Sequence, residues 1–497
     1  MSDVVVAGGG SVGLATAVFL AHHGVRVHVV ERRAELSVHP RALGISPRTL
    51  EFFREVGLGP ALEAVAVRST ALWKADARTV AEIDRDRAPY PVSAVSPESP
   101  RGHYPQDRLD AALLPAALDR GVTVEFGAAV TGLDQDGDGV SVALSGGRVL
   151  RTRYLVGADG VNTAVRPALG IGATGPGEVG APTLNILFEA DLNGHFGPMP
   201  TMAEIEHPEV RGMLLSVGER RWVLHTAAPG TPEDLVRTAL GEDVPVTVIA
   251  AKWWRATLRM AERFRAGRAF LAGDAARAIS PLGAFGLNTG LADAHNLAWK
   301  LAMVLSGRAG DGLLDTYHDE RHAVAEFVTR QAALRWENPR IHWDASAVAE
   351  RAAVGAWNAP MVTMGYRYDS SAVIGAVVEP PSTEDVVAAL DGAPGSRLPH
   401  RWVSSGVSTL DLVGSRLTVF SSDSLWAEAA GKAGARLGLD VGSAVLPDTG
   451  WREAVGLAEG GALLVRPDGF IAWRSTTRTP DPAGMLESVL TRVLSRR

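Results

Sequence analysis

The sequence contains no cysteine, which excludes disulfides, thiolate metal sites, iron–sulfur clusters and thiol catalysis. It also lacks a block of basic residues and carries a net charge of −7, so nucleic acid is not an expected partner. No uninterrupted apolar run is long enough to span a membrane. The mostly apolar residues 4–21 have no basic segment before them. We therefore expect a cytoplasmic protein with no leader and no membrane partner.

The length and composition are those of a globular chain with more than one core. A chain of 497 residues is too long for a single ordinary domain, so two or three domains are expected. Hydrophobic residues make up 46% of the chain and charged residues 21%, which is typical of globular proteins.

The stretch VVVAGGGSVGLATAVFLAHHGVRVHVVER, residues 4–32, predicts a strand, a glycine-rich turn, a helix and a second strand. Val4–Ala7 is the first strand, and Gly8, Gly10 and Gly13 match the pattern G-x-G-x-x-G. Apolar residues at helical spacing follow up to His23, and alternating valines then lead to the second strand. In such a unit the glycines allow a tight turn and close approach of a pyrophosphate, which binds at the helix N-terminus.

An acid ends the second strand of this unit. Glu31 lies where a carboxylate accepts hydrogen bonds from the ribose of a dinucleotide. The same glycine spacing recurs at Gly170, Gly172 and Gly175, but proline breaks the sequence around it. The second match is therefore predicted to be a loop, and only the first is predicted to bind a dinucleotide.

Two later motifs add turns with an aspartate. The segment RYLVGADGVNTAVR, residues 153–166, predicts a short strand that enters a turn at Asp159 and Gly160. Residues 267–301 predict a strand, a turn at Gly273 and Asp274, a loop and a long helix.

With the opening unit, these motifs resemble the flavoprotein aromatic hydroxylases, the family of p-hydroxybenzoate hydroxylase and phenol hydroxylase. The chain is most similar to the bacterial branch that modifies polyketides, rifamycins and indolocarbazoles. The resemblance covers nearly the whole chain and includes five more segments: HPRALGISPRTLEFFREVGL (39–58), YPQDRLDAALLPAAL (104–118), GLLDTYHDERHAVA (312–325), GYRYDSSAVI (365–374) and ALLVRPDGFIAWR (462–474).

The resemblance implies FAD as the cofactor and assigns residues to it. The helix that begins near Asn288 would direct its positive end to the flavin ring, and Asp274 would contact the ribityl–pyrophosphate region. Asp159 matches an acid shared between FAD and NAD(P)H binding. The implied cofactor-binding residues are Gly8, Gly10, Ser11, Val12, Gly13, Glu31, Arg32, Arg41, Gln106, Asp159, Asp274, Pro281, Gly286, Leu287 and Asn288.

Four positions depart from the family pattern. Ser11 replaces a frequent proline, and Thr163 replaces a serine but keeps the hydroxyl. Arg277 replaces a frequent histidine, and Ala284 with the following Phe285 replaces a Gly-Gln or Gly-Gly pair. The last two departures bear on how the flavin is seated.

The implied fold is α/β, with a Rossmann-like FAD-binding domain of the glutathione-reductase type, an antiparallel β-sheet cap over the substrate and a C-terminal thioredoxin-like domain without cysteines. Strand-like runs at 182–192, 211–218 and 221–228 favour the cap, and 417–422 with the hairpin 462–474 favours the last domain. The expected boundaries are 1–70, 102–178 and 262–335 for the FAD-binding domain, 71–101 and 179–261 for the cap, 336–395 for a connection of helices and loops, and 396–497 for the C-terminal domain.

The implied activity is that of an FAD-dependent monooxygenase with NAD(P)H as reductant and O2 as co-substrate. It would hydroxylate a phenolic or polycyclic natural-product intermediate through a flavin C4a-hydroperoxide. Baeyer–Villiger oxygenation or an oxidative rearrangement on the same scaffold stays open as an alternative, as does an inert flavin or polyketide binder. The expected assembly is a monomer or homodimer.

No catalytic side chain is assigned from the sequence. His225 on a predicted cap strand could act as a base towards a phenol, but a merely packed or exposed histidine is the simpler interpretation. His103 and Tyr104 have similarly weak claims. Trp222, Trp253 and Trp254 could line an aromatic pocket, but packing is the simpler interpretation. The pair in HDERH, His318 and His322, is not expected to bind a metal, and no metal site is predicted.

Overall fold

The computed structural model describes residues 2–68, 74–83 and 93–496. Residues 69–73 and 84–92 lie outside the described part of the chain. They include the predicted boundary at residue 70 and much of the predicted insert 71–101.

The helices of the described residues run from the glycine-rich turn to the last turn of the chain. They are α1 (Ser11–His22), α2 (Pro47–Glu55), α3 (Gly59–Val65), α4 (Gln106–Asp119), α5 (Val165–Ala168), α6 (Leu192–Phe196), α7 (Pro232–Leu240), α8 (Phe285–Leu305), α9 (Gly312–Glu337), α10 (Arg340–Trp343), α11 (Val348–Val354), α12 (Ala359–Met364), α13 (Val386–Ala389), α14 (Leu425–Leu437), α15 (Thr449–Ala454) and α16 (Pro482–Val493).

The strands of the same part of the chain form three larger sheets and three small ones. They are β1 (Val4–Ala7), β2 (Val27–Glu31), β3 (Val67–Arg68), β4 (Lys74–Ala77), β5 (Gly102–His103), β6 (Thr123–Phe126), β7 (Val130–Gln135), β8 (Val140–Leu144), β9 (Val149–Thr152), β10 (Tyr154–Gly157), β11 (Ala173–Glu189), β12 (Met202–Glu206), β13 (Arg211–Ser216), β14 (Arg221–Thr226), β15 (Thr247–Ala261), β16 (Arg265–Ala266), β17 (Ala269–Leu271), β18 (Arg277–Ala278), β19 (Trp402–Ser404), β20 (Val407–Ser408), β21 (Leu417–Ser421), β22 (Val441–Val445), β23 (Ala462–Val465) and β24 (Ile471–Ser475).

The first large sheet is the predicted Rossmann-like sheet, with strand order β16-β17-β10-β1-β2-β6. The strand β1 pairs in parallel with β10 and β2, and β10 pairs in parallel with β17. Every residue of β1 is buried, as expected of a central parallel strand with both faces covered. The helix α1 packs against α4 and α8. The predicted strand, turn, helix and strand at the start of the chain are confirmed.

The second large sheet is mostly antiparallel, with the order β18-β15-β11-β14-β13-β12-β4. It contains all three strands predicted at 182–228. The predicted loop around Gly175 is wrong, because β11 begins at Ala173 and pairs with β15 across three register shifts. Glycine and proline remove the alternation of apolar side chains there, so pairing with a strand more than 80 residues away makes the segment extended. We call this sheet the cap sheet.

The third large sheet belongs to the C-terminal domain and has the order β22-β21-β23-β24. β21 and β22 are parallel, and β23 is antiparallel to both β21 and β24. The helices α14 and α16 pack on this sheet through buried side chains such as Trp426 and Leu490. Gly469, in the predicted hairpin turn, has φ of 77°. The predicted thioredoxin-like arrangement is confirmed.

A buried group of charges joins the C-terminal domain to α8 and α9. Glu320 accepts hydrogen bonds from Lys300 Nζ at 2.7 Å and from Arg466 Nη2 at 2.8 Å. Arg466 also donates to Asp468 at 2.5 Å, and Asn296 Nδ2 donates to Glu320 at 2.8 Å. We call these five residues the ionic cluster. None of the described helices is both long and apolar enough to cross a membrane.

Candidate active site

Four of the predicted cofactor residues follow neighbouring strands at one edge of the Rossmann-like sheet. Gly8 follows β1, Glu31 ends β2, Asp159 follows β10 and Asp274 follows β17. Parallel strands end at the same edge, so the three motifs lie side by side although they are far apart in sequence. Open α/β sheets bind ligands at this carboxyl edge.

The glycine-rich turn is closely packed on two sides and open on a third. Gly8 has φ of +109°, and a Cβ atom there would lie 2.3 Å from the carbonyl oxygen of Ala158. A Cβ on Gly13 would lie 1.9 Å from the carbonyl oxygen of Gly8. A Cβ on Gly10 would meet no atom within 4 Å. Any side chain at Gly10 would therefore occupy the open space in front of the turn.

The carboxylate of Glu31 fixes the turn. Its Oε2 accepts a hydrogen bond from Gly9 N at 2.7 Å, and its Oε1 accepts one from Arg33 N at 2.9 Å. Each oxygen can accept a second hydrogen bond, so this arrangement leaves capacity for a ribose hydroxyl. Arg32, the next residue, is exposed.

The first turn of α1 has no side-chain cap, because its N-cap residue is Gly10. Free N–H groups and the positive end of the helix dipole suit a phosphate. The hydroxyl of Ser11 donates to Asp110 Oδ1 on α4. Burial raises the pKa of Asp110 to about 7, with the Ser11 hydrogen bond opposing the rise. Asp110 is absent from the sequence-based prediction, although it lies one helical turn after Gln106.

Cationic side chains surround the same turn. The guanidinium of Arg41 is near Arg33, Asp274 and Asp110, and burial together with Arg33 lowers its pKa. The segment that carries Arg41 is held beside α4, because Gln106 N donates to the carbonyl oxygen of Ala42 at 2.9 Å. The predicted residues Arg41 and Gln106 are thus brought to the turn by tertiary contacts.

Asp159 has one satisfied and one unsatisfied oxygen. Its Oδ2 accepts hydrogen bonds from Ala164 N at 2.7 Å and Val165 N at 3.2 Å, which caps the short helix α5. Its Oδ1 is buried and has no hydrogen-bond partner. A buried acceptor without a partner is uncommon and points to a ligand group or water at this position.

Asp274 is exposed to solvent, although the protein atoms around it partly desolvate its carboxylate. This desolvation raises its pKa, and Arg277 and Arg41 oppose the rise. The unusual Arg277 donates to Asp293 on α8 at 2.5 Å. Asp293 also accepts hydrogen bonds from Gly273 N at 3.1 Å and Arg321 Nε at 2.8 Å. Arg277 thus helps to hold the turn that carries Asp274.

The helix α8 begins at Phe285, three residues before the predicted start at Asn288. The Asn288 side chain accepts hydrogen bonds from Ser46 N and Thr49 Oγ1, and donates to the carbonyl oxygens of Gly44 and Ala284. Its side chain therefore ties the 44–49 segment to α8. These hydrogen bonds account for an asparagine at this position without a bound ligand.

The N-terminus of α8 also lacks a side-chain cap. Its N-cap residue, Ala284, is left-handed with φ of 54° and is exposed. Pro281 is exposed nearby, and its carbonyl oxygen accepts a hydrogen bond from Ala284 N at 3.0 Å. Gly286 and Leu287 are half-buried in the first turn. Val12 of α1 lies against Gly273 and Gly290, which closes the gap between α1, this helix and the Asp274 turn.

These features fit FAD. Two uncapped helix N-termini suit its pyrophosphate and the electron-rich edge of its flavin. The open space at Gly10 and the unpaired oxygen of Asp159 leave room and hydrogen-bonding capacity for a bound molecule.

One face of the cap sheet packs against the segment 39–46, and we call the region between this face and that segment the cleft. Leu187, Val223 and Leu215 lie opposite one another on this face and pack against Leu43. The residues two positions further along each strand point to the same face and form a second row, which is mostly polar. The polar residues of this row, which we call the polar row, are Lys252, Asn185, His225 and Glu204, and the apolar Met213 lies between the last two.

A cavity of about 370 Å³ continues along this polar row. It is lined by Thr183, Glu204, Met213 and His225, together with Arg211 and neighbouring residues at the strand ends. The volume is within the range of small-molecule sites. Burial lowers the pKa of His225 to about 4, so its imidazole is neutral near pH 7. A neutral imidazole can orient a phenolic hydroxyl by a hydrogen bond.

The other aromatic candidates divide between the two faces of the cap sheet. Trp222 is buried on the outer face, where its Nε1 donates to the carbonyl oxygen of Ala190 at 3.0 Å. Trp254 lies beside His225, with the ring centroids 6.2 Å apart. Trp253 is 58% exposed. His103 is buried and its Nδ1 lies 3.1 Å from the carbonyl oxygen of Ser216, and Tyr104 is buried.

The HDERH pair lies on α9, away from these groups. His318 Nδ1 accepts a hydrogen bond from Phe264 N at 3.3 Å, and His322 Nε2 lies 3.2 Å from the carbonyl oxygen of Ala261. Within residues 2–68, 74–83 and 93–496, no group of three or more acidic or histidine side chains is placed to hold a metal ion.

Comparisons with known proteins cover the whole chain. The FAD binding domain family matches residues 1–332, and the family of aromatic-ring hydroxylase C-terminal domains matches residues 391–496. The tetracenomycin B2 monooxygenase-dioxygenase of Streptomyces olivaceus is 39% identical, over 99% of this chain and 98% of its own.

Two solved structures extend the comparison. A ternary complex of aklavinone-11 hydroxylase with FAD and aklavinone has a TM-score of 0.87 and 37% identity, and covers 100% of this chain and 99% of its own. The rebeccamycin biosynthetic enzyme RebC with reduced flavin has a TM-score of 0.84 and 30% identity, with the same coverage.

The Rossmann-like sheet with its open carboxyl edge, together with these relatives, defines an FAD-dependent monooxygenase. The match to both domain families and the similarity along the full length are more specific. The chain belongs to the FAD-dependent aromatic-ring hydroxylases, as the sequence motifs predict.

Proposed function

We propose that this protein hydroxylates a polycyclic aromatic polyketide, with NAD(P)H as reductant and O2 as co-substrate. The observation that carries the proposal is the cleft itself. A cavity of about 370 Å³ lies at the ends of β12, β13 and β14, along the face of the cap sheet that also carries Leu187 and Val223. The related aklavinone-11 hydroxylase forms a ternary complex with FAD and aklavinone, which supports a site that accommodates a flavin together with an organic substrate.

We further propose that the predicted cofactor residues hold FAD along the carboxyl edge of the Rossmann-like sheet. Glu31 would bind the ribose, and the first turn of α1 with Arg41 would bind the pyrophosphate. The free N–H groups at the start of α8 would stabilise negative charge on the flavin ring. When bound, FAD supplies electron transfer from NAD(P)H and the activation of O2.

The side chains of the cap would orient the substrate. Leu187, Val223 and Leu215 form an apolar floor next to the segment 39–46, and the polar row beyond them offers hydrogen bonds. With its lowered pKa, neutral His225 would align a hydroxyl without adding charge to the cleft. The domain boundaries predicted from sequence assign this sheet to the substrate-binding cap, and we retain them as part of the proposal.

The test is oxidation of NADPH and of NADH by the FAD-loaded protein, with and without anthraquinones and tetracyclic phenols. We expect one class of compound to stimulate oxidation and to gain oxygen. The product structure, determined by NMR, distinguishes ring hydroxylation from ring expansion, since both can add one oxygen atom. Stimulated oxidation that yields only hydrogen peroxide with every compound would contradict the proposal.

The position of FAD is tested separately by Glu31→Ala, with the exposed neighbour Glu35 changed in Glu35→Ala as the matched control. We expect Glu31→Ala to lose FAD on dialysis, because the turn and the ribose both lose an acceptor. Equal FAD content in the two variants would refute the role of Glu31.

A further inference from the structure

Four buried polar atoms in and beside the cleft have no hydrogen-bond partner. They are both ring nitrogens of His39, Oδ1 of Asn185 and Nε1 of Trp254. Buried polar groups are nearly always paired, because an unpaired one loses its hydration without compensation. Four such atoms in one place therefore need an explanation.

The three residues come from two sides of the cleft. Asn185 lies directly opposite Lys252 on β15, and Trp254 is two residues further along that strand on the same face. His39 belongs to the segment that faces the cap sheet, and its neighbours include Asn185, Lys252 and Arg41. Asn185 lies close to His39 without reaching hydrogen-bond geometry.

The unpaired atoms offer both donors and acceptors. Neutral imidazole has one of each, the oxygen of Asn185 accepts, and the indole N–H of Trp254 donates. Burial lowers the pKa values of His39 and His225, so both rings are neutral near pH 7. Two of the unpaired atoms are donors and two are acceptors, which suits a carbonyl oxygen combined with a hydroxyl group; a carboxylate has no donor and would leave the oxygen of Asn185 unpaired, even though Lys252 and Arg41 favour a negative charge.

Resting on the proposed function, we propose that His39, Asn185 and Trp254 form a subsite that binds an adjacent carbonyl and hydroxyl on a neutral, planar aromatic substrate. Hydroxyquinones and hydroxylated aromatic ketones are the substrate class that carries this pair. Trp254 packs with His225 at an interplanar angle of 89°, so the two aromatic rings stand together on the face of the cap sheet that carries Asn185. The subsite determines orientation and specificity, and no bond is made or broken by it.

The test compares binding of three probes to the FAD-loaded protein: 1-hydroxyanthraquinone, anthracene and anthraquinone-2-carboxylate. Binding is followed by the change in flavin fluorescence. We expect the hydroxyquinone to bind at least about tenfold more tightly than either other probe, as one or two hydrogen bonds predict. Tighter binding of the carboxylate would overturn the inference.

Two variants and one matched control locate the effect. Trp254→Phe keeps a large aromatic ring but removes the N–H, and Asn185→Leu keeps the size but removes the acceptor. Each is expected to reduce the preference for the hydroxyquinone about tenfold. Trp253→Phe makes the same chemical change on the neighbouring residue, which is 58% exposed and on the other face of the strand, and should leave the preference unchanged.

The result is separable from the proposed function. FAD content and NADPH oxidation are measured in the same preparations. Normal oxidation and oxygenation with an unchanged preference in Trp254→Phe and Asn185→Leu would overturn the subsite and leave the proposed function standing. Loss of preference in these variants supports the subsite even when no probe is oxygenated. If Asn185→Leu does not fold, Trp254→Phe decides the question.

Discussion

The ionic cluster and the cleft are both rich in polar side chains, but the two regions differ in how many of their buried polar atoms have a partner. In the cluster, every charged side chain has an ion-pair partner: Lys300 and Arg466 pair with Glu320, and Arg466 pairs with Asp468. In the cleft, buried polar atoms of Asn185 and its neighbours have none. Paired buried charges hold two domains together. In the cluster, Oδ1 of Asn296 is the one buried polar atom without a partner, whereas several such atoms lie together in the cleft, where a ligand would complete their hydrogen bonds.

The largest expected effect on stability comes from removing one charge of the ionic cluster. Glu320→Gln leaves the buried Lys300 and Arg466 without their shared countercharge. We expect a loss of about 3–5 kcal/mol in the free energy of unfolding, since removal of one partner leaves an uncompensated charge. Denaturant unfolding measures it. The control is Asp315→Asn on the same helix, where a solvent-exposed carboxylate pairs with Arg265 and should contribute less than about 1 kcal/mol. Equal effects would contradict the comparison.

A partly exposed pair should give a smaller, pH-dependent effect. Burial opposes ionisation of Glu55, but His295 at 2.9 Å and the Ser415 hydroxyl at 2.6 Å outweigh it and lower its pKa to about 2. A carboxyl with a lowered pKa in the folded state contributes stability above its unfolded pKa of about 4.5, which is lost as the pH falls towards 2.

We therefore expect wild type to lose on the order of 2 kcal/mol more than Glu55→Gln between pH 6 and pH 3. Urea unfolding at a series of pH values measures the difference. Glu428→Gln, which removes an exposed carboxylate paired with Lys432, serves as the control and should follow wild type. Parallel pH curves for wild type and Glu55→Gln would show that the pair contributes nothing.

On the cofactor side, Asp110 should make FAD binding depend on pH. Its pKa of about 7 means that it is protonated at pH 6 and mostly charged at pH 8. Bound phosphates would raise the pKa further, so FAD binding takes up a proton and weakens as the pH rises.

We expect FAD affinity of the apoprotein to fall about tenfold from pH 6 to pH 8, equivalent to about 1.4 kcal/mol. Asp110→Asn should remove this dependence, whereas Asp119→Asn, at the exposed end of the same helix, should retain it. Fluorescence titration of FAD measures both. A slope that survives in Asp110→Asn would place the titrating group elsewhere.

The smallest expected effect is the most direct test of the comparison. In the absence of ligand, Asn185→Leu should change the free energy of unfolding by less than about 1 kcal/mol, because the buried oxygen has no hydrogen bond to lose. Asn296→Leu makes the same substitution inside the ionic cluster and should destabilise more, since its amide donates to Glu320 and Asp468. A larger loss at Asn185 than at Asn296 would reverse the assignment of the two regions.

The sequence determined the local units of this protein. The spacing of Gly8, Gly10 and Gly13 between an apolar run and a helix is sufficient to predict the βαβ unit, because the tight turn is local and Gly13 lies against the carbonyl oxygen of Gly8 within it. The aspartate turns and the hairpin at Gly469 are similarly local. The family motifs then predicted the class of enzyme and the order of its domains, while the individual cofactor contacts stay predictions.

Only the tertiary structure decided what the individual polar side chains do. Asn288 binds the segment 44–49 about 240 residues away, and Arg277 finds its partner in Asp293 on another element. The segment around Gly175 becomes a strand through β15, and Asn185 meets His39 across the cleft. Local pattern cannot predict such pairs, because burial and hydrogen bonding depend on which distant segments the fold brings together.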